Sequence, residues 1–297
     1  MNDFSKIKLD ASIYPEVFNE VKNHYNFNDG CILHKHWIKD SAENFDIISA
    51  TGEFASLSWM GNGYPNKSDY QFPFEKDIFK LHRKFSIVTR DTIDIQSGMY
   101  QFYRLEDLFA TNDFYFLDNA KDVRIIEIGG GYGRLAMFFL LHFGERCHYV
   151  NVDFVPTSLA FSPQVISQAF PNLKVGGVLN TDGLIEDYNY VSLPAWDIDR
   201  IKPEFYDLGV NIHSFQEMEN RSARFYVGQL ARTINPYGFL YVINNPPEKN
   251  NWYTTHNYYG LDQYFEDVGV EYKYPIGADW GKICGIDTLE RMMVPKK

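Results

Sequence analysis

The stretch Glu127-Ile128-Gly129-Gly130-Gly131-Tyr132-Gly133 has the residue types and spacing of a ligand-binding turn. Val123, Ile125, Ile126 and Ile128 precede it as a short β-branched run, which reads as a buried parallel strand. Residues 135–141 read as a helix closed by Gly144. A glycine turn between a strand and a helix offers backbone N–H groups and the positive helix end to a ligand. The dinucleotide pattern G-x-G-x-x-G would need a third glycine where Arg134 stands. The pattern that fits is E-x-G-x-G-x-G, in which Gly129 and Gly131 let the backbone approach a ligand that has no pyrophosphate. A second strand, Tyr149-Val150-Asn151-Val152-Asp153-Phe154, ends in an acidic residue twenty positions after Gly133. An acid there accepts hydrogen bonds from both hydroxyls of a ribose. It equally suits the N-cap of the next helix.

The glycine pattern is similar to the first motif of S-adenosylmethionine (SAM) methyltransferases, with S-adenosylhomocysteine as the product of the cofactor. On that likeness Glu127 meets the cationic amino-acid end of SAM, directly or through water. Gly129, Gly130, Gly131, Tyr132 and Gly133 line the cofactor, Asp153 holds its ribose and Phe154 packs on its adenine. Thr181 and Asp182 close a third strand over 173–179, where the adenine amino group would be read. An Asx turn before Gly183 accounts for Asp182 as well. Asn211, near the end of the fourth strand, is assigned to the same cofactor.

Transfer of a methyl group to a hydroxyl needs the acceptor oxygen held in line and a base for its proton. In doubly wound sheets, ligands lie outside the carboxyl ends of the strands. His213 ends the fourth strand, 205–213, and an imidazole is a base near neutral pH. A structural histidine bonded to backbone fits the same position. Glu217, read as one turn into a helix over 214–234, could orient His213, act as base, or stabilise the helix N-terminus. His256 lies in an aperiodic stretch with Trp252, Tyr253, Tyr258 and Tyr259, aromatics that could stack on a sugar ring or fill a small core of their own. His34 and His36 have no third ligand at metal spacing, so no metal is expected.

The elements that position these residues alternate strand and helix from 121 onward, which implies an α/β fold: a Rossmann-like, doubly wound parallel sheet of seven strands. A helix over 157–170 must kink or restart at Pro163. Residues 184–204 read as acidic and irregular, 239–243 as the fifth strand, 261–268 as a helix, and 270–274 and 283–293 as the last strands. Residues 1–120 are too many for a tail and read as a mainly helical cap over the substrate, with helices at 15–25, 79–88 and 100–109. The cofactor domain spans 121–297.

The chain has 297 residues and a net charge of −11, against a nucleic-acid backbone as partner. Cys31, Cys147 and Cys284 are far apart and suit reduced cytosolic thiols. No signal peptide or bilayer-length apolar run is legible, and a cytoplasmic location is expected. A homodimer is the base-rate expectation.

The run Glu127-Ile128-Gly129-Gly130-Gly131-Tyr132-Gly133-Arg134-Leu135-Ala136 resembles the Gly-Tyr-Gly-Arg-Leu-Ala signature of a bacterial sugar O-methyltransferase family associated with surface-polysaccharide and nucleotide-sugar gene clusters. Asp153 with Pro156, Leu159 and Phe170-Pro171 is similar to its second segment, and Asn211-Ile212-His213-Ser214-Phe215-Gln216-Glu217-Met218 to its Asn-Ile-Ser-Ser-Leu-His-Glu-Met block. The likeness runs over about 85–260, and only these blocks are specific. It implies a sugar or glycan hydroxyl as acceptor. The family histidine falls at Gln216 and His213 stands at a family serine, so no base carries over, whereas Glu217 and Met218 match. Two other readings fit the same motifs: a non-sugar small acceptor such as a phosphoramidate or secondary metabolite, and a SAM-binding partner subunit without turnover.

Overall fold

The computed structural model describes residues 7–24, 121–244, 258–273 and 289–296, with 45, 46, 48–50, 101, 102, 105, 106, 108 and 109. His34, His36, Cys31, Cys284, His256, Trp252 and Tyr253 lie outside the described residues, as do the expected helix at 79–88 and most of the expected cap.

Among the described residues eight strands form one sheet. They are β1 (Val123–Ile128), β2 (Cys147–Asp153), β3 (Val175–Gly176), β4 (Tyr190–Pro194), β5 (Tyr206–Ile212), β6 (Ile234–Asn244), β7 (Phe265–Lys273) and β8 (Leu289–Pro295), in the order β3-β4-β2-β1-β5-β6-β8-β7. The expected sheet of seven parallel strands is thus corrected to eight in a mixed arrangement. β3 is a two-residue addition at one edge. β8 runs antiparallel to both β6 and β7, so β7 and β8 form a closing ribbon.

The first strands follow directly from sequence. β1 buries five of its six residues, and β2 and β5 are nearly as enclosed, as central parallel strands require. The α-helices that pack with the sheet include α1 (Tyr14–His24), α2 (Arg134–Phe143), α3 (Pro156–Ala169), α4 (Asn220–Thr233) and the short α5 (Leu261–Tyr264). α2 ends at Gly144, whose φ of 57° stops the helix in a conformation that glycine adopts without strain. α3 is one helix through Pro163, not two. The order reverses at β1: β1 to β2 steps one way along the sheet and β4 to β5 the other. With right-handed crossovers this puts α2 and α3 on one face and α4 on the other.

The segment 7–24 lies along α3. Gln168 accepts from Lys8 N–H at 3.0 Å and donates to Lys8 C=O at 2.6 Å. Gln164 does the same for Asp10, at 2.7 and 3.0 Å. Tyr14 stacks on Phe161 at 6.1 Å, and at the far end of α1 the His24 ring lies parallel to Trp196 at 4.3 Å. Farther along, 101, 102, 105, 106, 108 and 109 are helical, as expected for 100–109. Phe102 meets Phe139 of α2 edge-on at 4.9 Å and joins the same hydrophobic core as the sheet.

Candidate cofactor and acceptor site

The sheet's topological switch point lies between β1 and β5, where an open α/β sheet forms its ligand crevice. The glycine turn leaves β1 and a tight turn leaves β5, so the two flank that crevice.

Beneath the glycine turn is a buried polar floor. Glu127 pairs in register with Asn151, and Asn151 with Ser192. In-register neighbours share a face of the sheet, and Tyr149, Asn151 and Asp153 share it by their period of two. Tyr149 Oη donates to Glu127 Oε2 at 2.6 Å. Burial pushes the Glu127 carboxyl up to about 7, with the Tyr149 hydroxyl and the Arg134 charge opposing. Burial likewise pushes Asp153 up to about 6, against hydrogen bonds from Val155, Phe154, Gly131 and Ser158. A carboxylate has about four lone-pair sites. Protein donors therefore occupy Asp153 fully here, and a ribose hydroxyl would displace one, most easily the rotatable Ser158 hydroxyl. Asp153 Oδ1 accepts from Phe154 and Val155, ahead of helix α3, so it closes a turn into the helix and does not cap the first helical N–H groups. Phe154 is buried beside it.

The turn itself corrects one expectation. Its four glycine N–H groups are not presented to a ligand. Gly129 donates to Val152 C=O at 2.8 Å, Gly130 to Asn151 Oδ1 at 3.0 Å, Gly131 to Asp153 Oδ2 at 3.1 Å and Gly133 to Gly130 C=O at 3.1 Å. A phosphate-binding turn directs such donors outward. Here they hold the turn to its floor, which disfavours a pyrophosphate ligand. The glycines are needed for space and φ. A Cβ on Gly130 would clash with Glu127 Oε2, and one on Gly129, at φ 75°, with Ser214 Oγ. Gly131 has φ 57° and open space where a Cβ would point. Tyr132 is buried.

A second polar knot holds the turn after β5. Asn211 donates to Ile128 C=O at 2.9 Å and accepts from Phe215 N–H at 3.2 Å and from Asn244 Nδ2 at 2.8 Å. Asn244 Oδ1 takes Gln216 N–H at 3.2 Å. Asn211, assigned to the cofactor from sequence, ties the ends of β1, β5 and β6 together. The turn over Phe215–Glu217 is a single 3₁₀ turn and α4 begins only at Asn220. Glu217 is therefore not in the first turn of a long helix, because the backbone is extended at Met218 (ψ 153°) and Glu219 (ψ 146°) and separates the 3₁₀ turn from α4. His213 opens this turn with φ 60°, a strained value for a residue other than glycine, and its N–H donates to Ile243 C=O at 2.7 Å. Burial, then the Arg134 charge, pushes its imidazole down to about 4, against a hydrogen bond with Gln216. His213 is thus neutral across the physiological range. Glu217 is half-buried on the same turn.

Thr181 and Asp182 follow edge strand β3, and β4 stands between β3 and β2. Thr181 Oγ1 donates to Gly177 C=O at 2.7 Å, and Asp182 is exposed, its backbone bonded to Tyr188 Oη. The strand beside β2 is β4, which the sequence reading leaves as irregular chain. Asp153 pairs with Pro194, so Ala195, Trp196 and Asp197 leave the sheet next to Asp153. Two more residues are unassigned from sequence. Asn151 is legible from the Tyr-x-Asn-x-Asp alternation of β2. Arg134 opens α2, donates to Gln101 Oε1 at 3.1 Å and shifts both Glu127 and His213. Cys147 is buried in β2 with its thiol pushed up by burial, an inert core group. Among the described residues no helix is long and apolar enough to cross a membrane.

No family model and no curated protein matches the chain. Solved structures with a similar course include a TehB-like SAM-dependent methyltransferase from Corynebacterium glutamicum, 11% identical, with a TM-score of 0.42 over 67% of this chain and 98% of that one. They also include a SAM-dependent methyltransferase from Aquifex aeolicus, 12% identical, with a TM-score of 0.38 over 66% of this chain and 98% of that one.

Proposed function

We propose that this protein is a SAM-dependent O-methyltransferase whose acceptor is a sugar hydroxyl, nucleotide-linked or glycan-bound, of the kind used in bacterial surface polysaccharides. One observation carries the cofactor assignment. Two buried carboxylates, Glu127 and Asp153, stand at the carboxyl ends of adjacent strands under a glycine turn whose four glycine N–H groups are bonded within the protein. Burial raises both, so the site favours a ligand that brings a cation and hydroxyl donors. SAM offers an ammonium group and a ribose, and no phosphate. The acceptor assignment rests on the resemblance of the 211–218 block and on the aromatic stretch that contains His256.

When bound, SAM supplies an electrophilic methyl group whose leaving group is a neutral thioether. Glu127 would hold the ammonium, and Asp153 would take a ribose hydroxyl in place of Ser158. Ala195, Trp196 and Asp197, beside Asp153, would flank the adenine, in place of Thr181 and Asp182. The acceptor oxygen would lie near the β5 turn. The neutral His213 ring would accept its proton, with Glu217 as the alternative base. A base this weak would accept the proton late, once the oxygen has become strongly acidic.

Mass spectrometry of the purified protein with SAM and a panel of nucleotide sugars, with and without EDTA, tests the reading. Gain of one methyl on a sugar, insensitive to EDTA, is expected. S-adenosylhomocysteine (SAH) binding with no transfer to any sugar would favour the non-sugar acceptor or the partner-subunit reading.

A further inference from the structure

We propose that Asn151 is a positioning residue for the cofactor, shaping the glycine turn that receives the amino-acid tail; the inference rests on the SAM reading above. Asn151 is fully buried in the middle of β2, where an apolar residue would be the ordinary choice. Its amide is used on both sides. Oδ1 accepts from Gly130 N–H at 3.0 Å, while Nδ2 donates to Gly131 C=O at 2.9 Å and to Tyr190 Oη at 3.3 Å. One side chain thus grips consecutive turn residues, one by its N–H and the next by its C=O.

Only an amide of this length does both. Aspartate accepts without donating, and leucine does neither. The grip has two consequences. It brings Gly130 down onto the floor, where a Cβ would strike Glu127 Oε2 and would lie 2.8 Å from Asn151 Oδ1. The Glu127 carboxylate then lies under the turn, where the cofactor ammonium is expected. The grip also holds Gly131 at φ 57° with open space above it. The other end of the cofactor is coupled to Asn151 only through Gly131, whose N–H donates to Asp153, since the ribose and adenine fall to Asp153, Phe154 and the chain beyond Pro194.

The action is therefore local to the tail, and a pair of ligands separates it from general loss of structure. SAH carries the amino-acid tail; 5′-methylthioadenosine has the same nucleoside and no tail. Both would be titrated by calorimetry into wild type, Asn151→Ala and the near-isosteric Asn151→Asp. The expected result is a loss of SAH affinity of about tenfold or more in both variants, with methylthioadenosine affinity within about twofold of wild type, on the scale of one or two hydrogen bonds. Unchanged SAH affinity in either folded variant would overturn the proposal. So would a parallel loss of both ligands, which is the mark of a merely structural residue. Wild type that binds methylthioadenosine no worse than SAH would overturn it too, because the turn would then contribute nothing to tail binding. Wild type that binds neither ligand would remove the cofactor reading itself.

Discussion

Glu127 is the residue on which binding and stability pull in opposite directions. Its carboxyl is raised from 4.5 to about 7, chiefly by burial. The native state therefore holds a proton that the unfolded chain releases between those values, and stability falls as pH rises through that window. Glu127→Gln keeps an acceptor for the Tyr149 hydroxyl and removes this cost. The variant should melt higher than wild type at pH 8 and show little difference at pH 4.5, by scanning calorimetry. It should also lose about 1.5–3 kcal/mol of SAH binding, the scale of a hydrogen bond to a charged group. Ionised Glu127 is the form that binds a cation, so wild-type SAH affinity should climb from pH 6 to pH 8. Binding at pH 7 should release a proton, visible as a dependence of the heat on buffer ionisation. His213 is a second such residue. Its φ of 60° costs any side chain that glycine would not carry. His213→Gly should therefore be more stable than His213→Ala by about 1 kcal/mol. If the imidazole is the base, both variants lose about 10² to 10⁴-fold in turnover while SAH still binds. A fully active His213→Ala would move the role to Glu217 or His256.

Elements were legible where a single stretch of chain decides them. β1, the glycine turn, α2 and β2 follow from β-branched runs, left-handed glycines and a continuous apolar helix. β4 was not legible, because Tyr190-Val191-Ser192-Leu193-Pro194 is short and lies in acidic chain, with Asp187 on one side and Asp197 and Asp199 on the other. Its identity comes from pairing with β2, a long-range fact, and its end at Pro194 puts Ala195, Trp196 and Asp197 beside Asp153, whereas Thr181 and Asp182 follow the edge strand β3. The expected helix over 261–268 ends at Tyr264, and Phe265 to Val268 belongs to β7. Leu261, Phe265 and Val268 have helical spacing, but pairing of Phe265, Glu266 and Asp267 with β8 overrides it. The long helix expected from Ser214 is broken after one 3₁₀ turn, because Met218 and Glu219 are extended and α4 starts only at Asn220. At this scale the 7–24 segment makes its own prediction. Gln164 and Gln168 hold it by four exposed hydrogen bonds. Replacing both with Ala should speed tryptic cleavage at Lys8 and Lys22 several-fold and lower the main unfolding transition far less, since water replaces exposed hydrogen bonds and the loss falls on local opening of this segment.

For the whole molecule, the sheet brings two polar knots to one crevice, one on each side of the switch point. The Glu127–Tyr149–Asn151–Asp153 floor serves the glycine turn, and the Asn211–Asn244 pair sets the β5 turn. The net charge of −11 acts over both. SAM carries one net positive charge and SAH none, so the field of the protein should speed association of SAM and not of SAH. Stopped-flow rates should fall with added salt for SAM and stay nearly flat for SAH, over the range in which the screening length drops to ~10 Å or less. The cofactor itself remains the central claim, and a calorimetric titration of the full chain with SAH at pH 8, followed by NADH, tests it most directly. One SAH site per chain is expected, with no competition from NADH, because the N–H groups of Gly129, Gly130, Gly131 and Gly133 are bonded within the protein and not turned to a pyrophosphate. Absence of SAH binding, or NADH binding in its place, would contradict it.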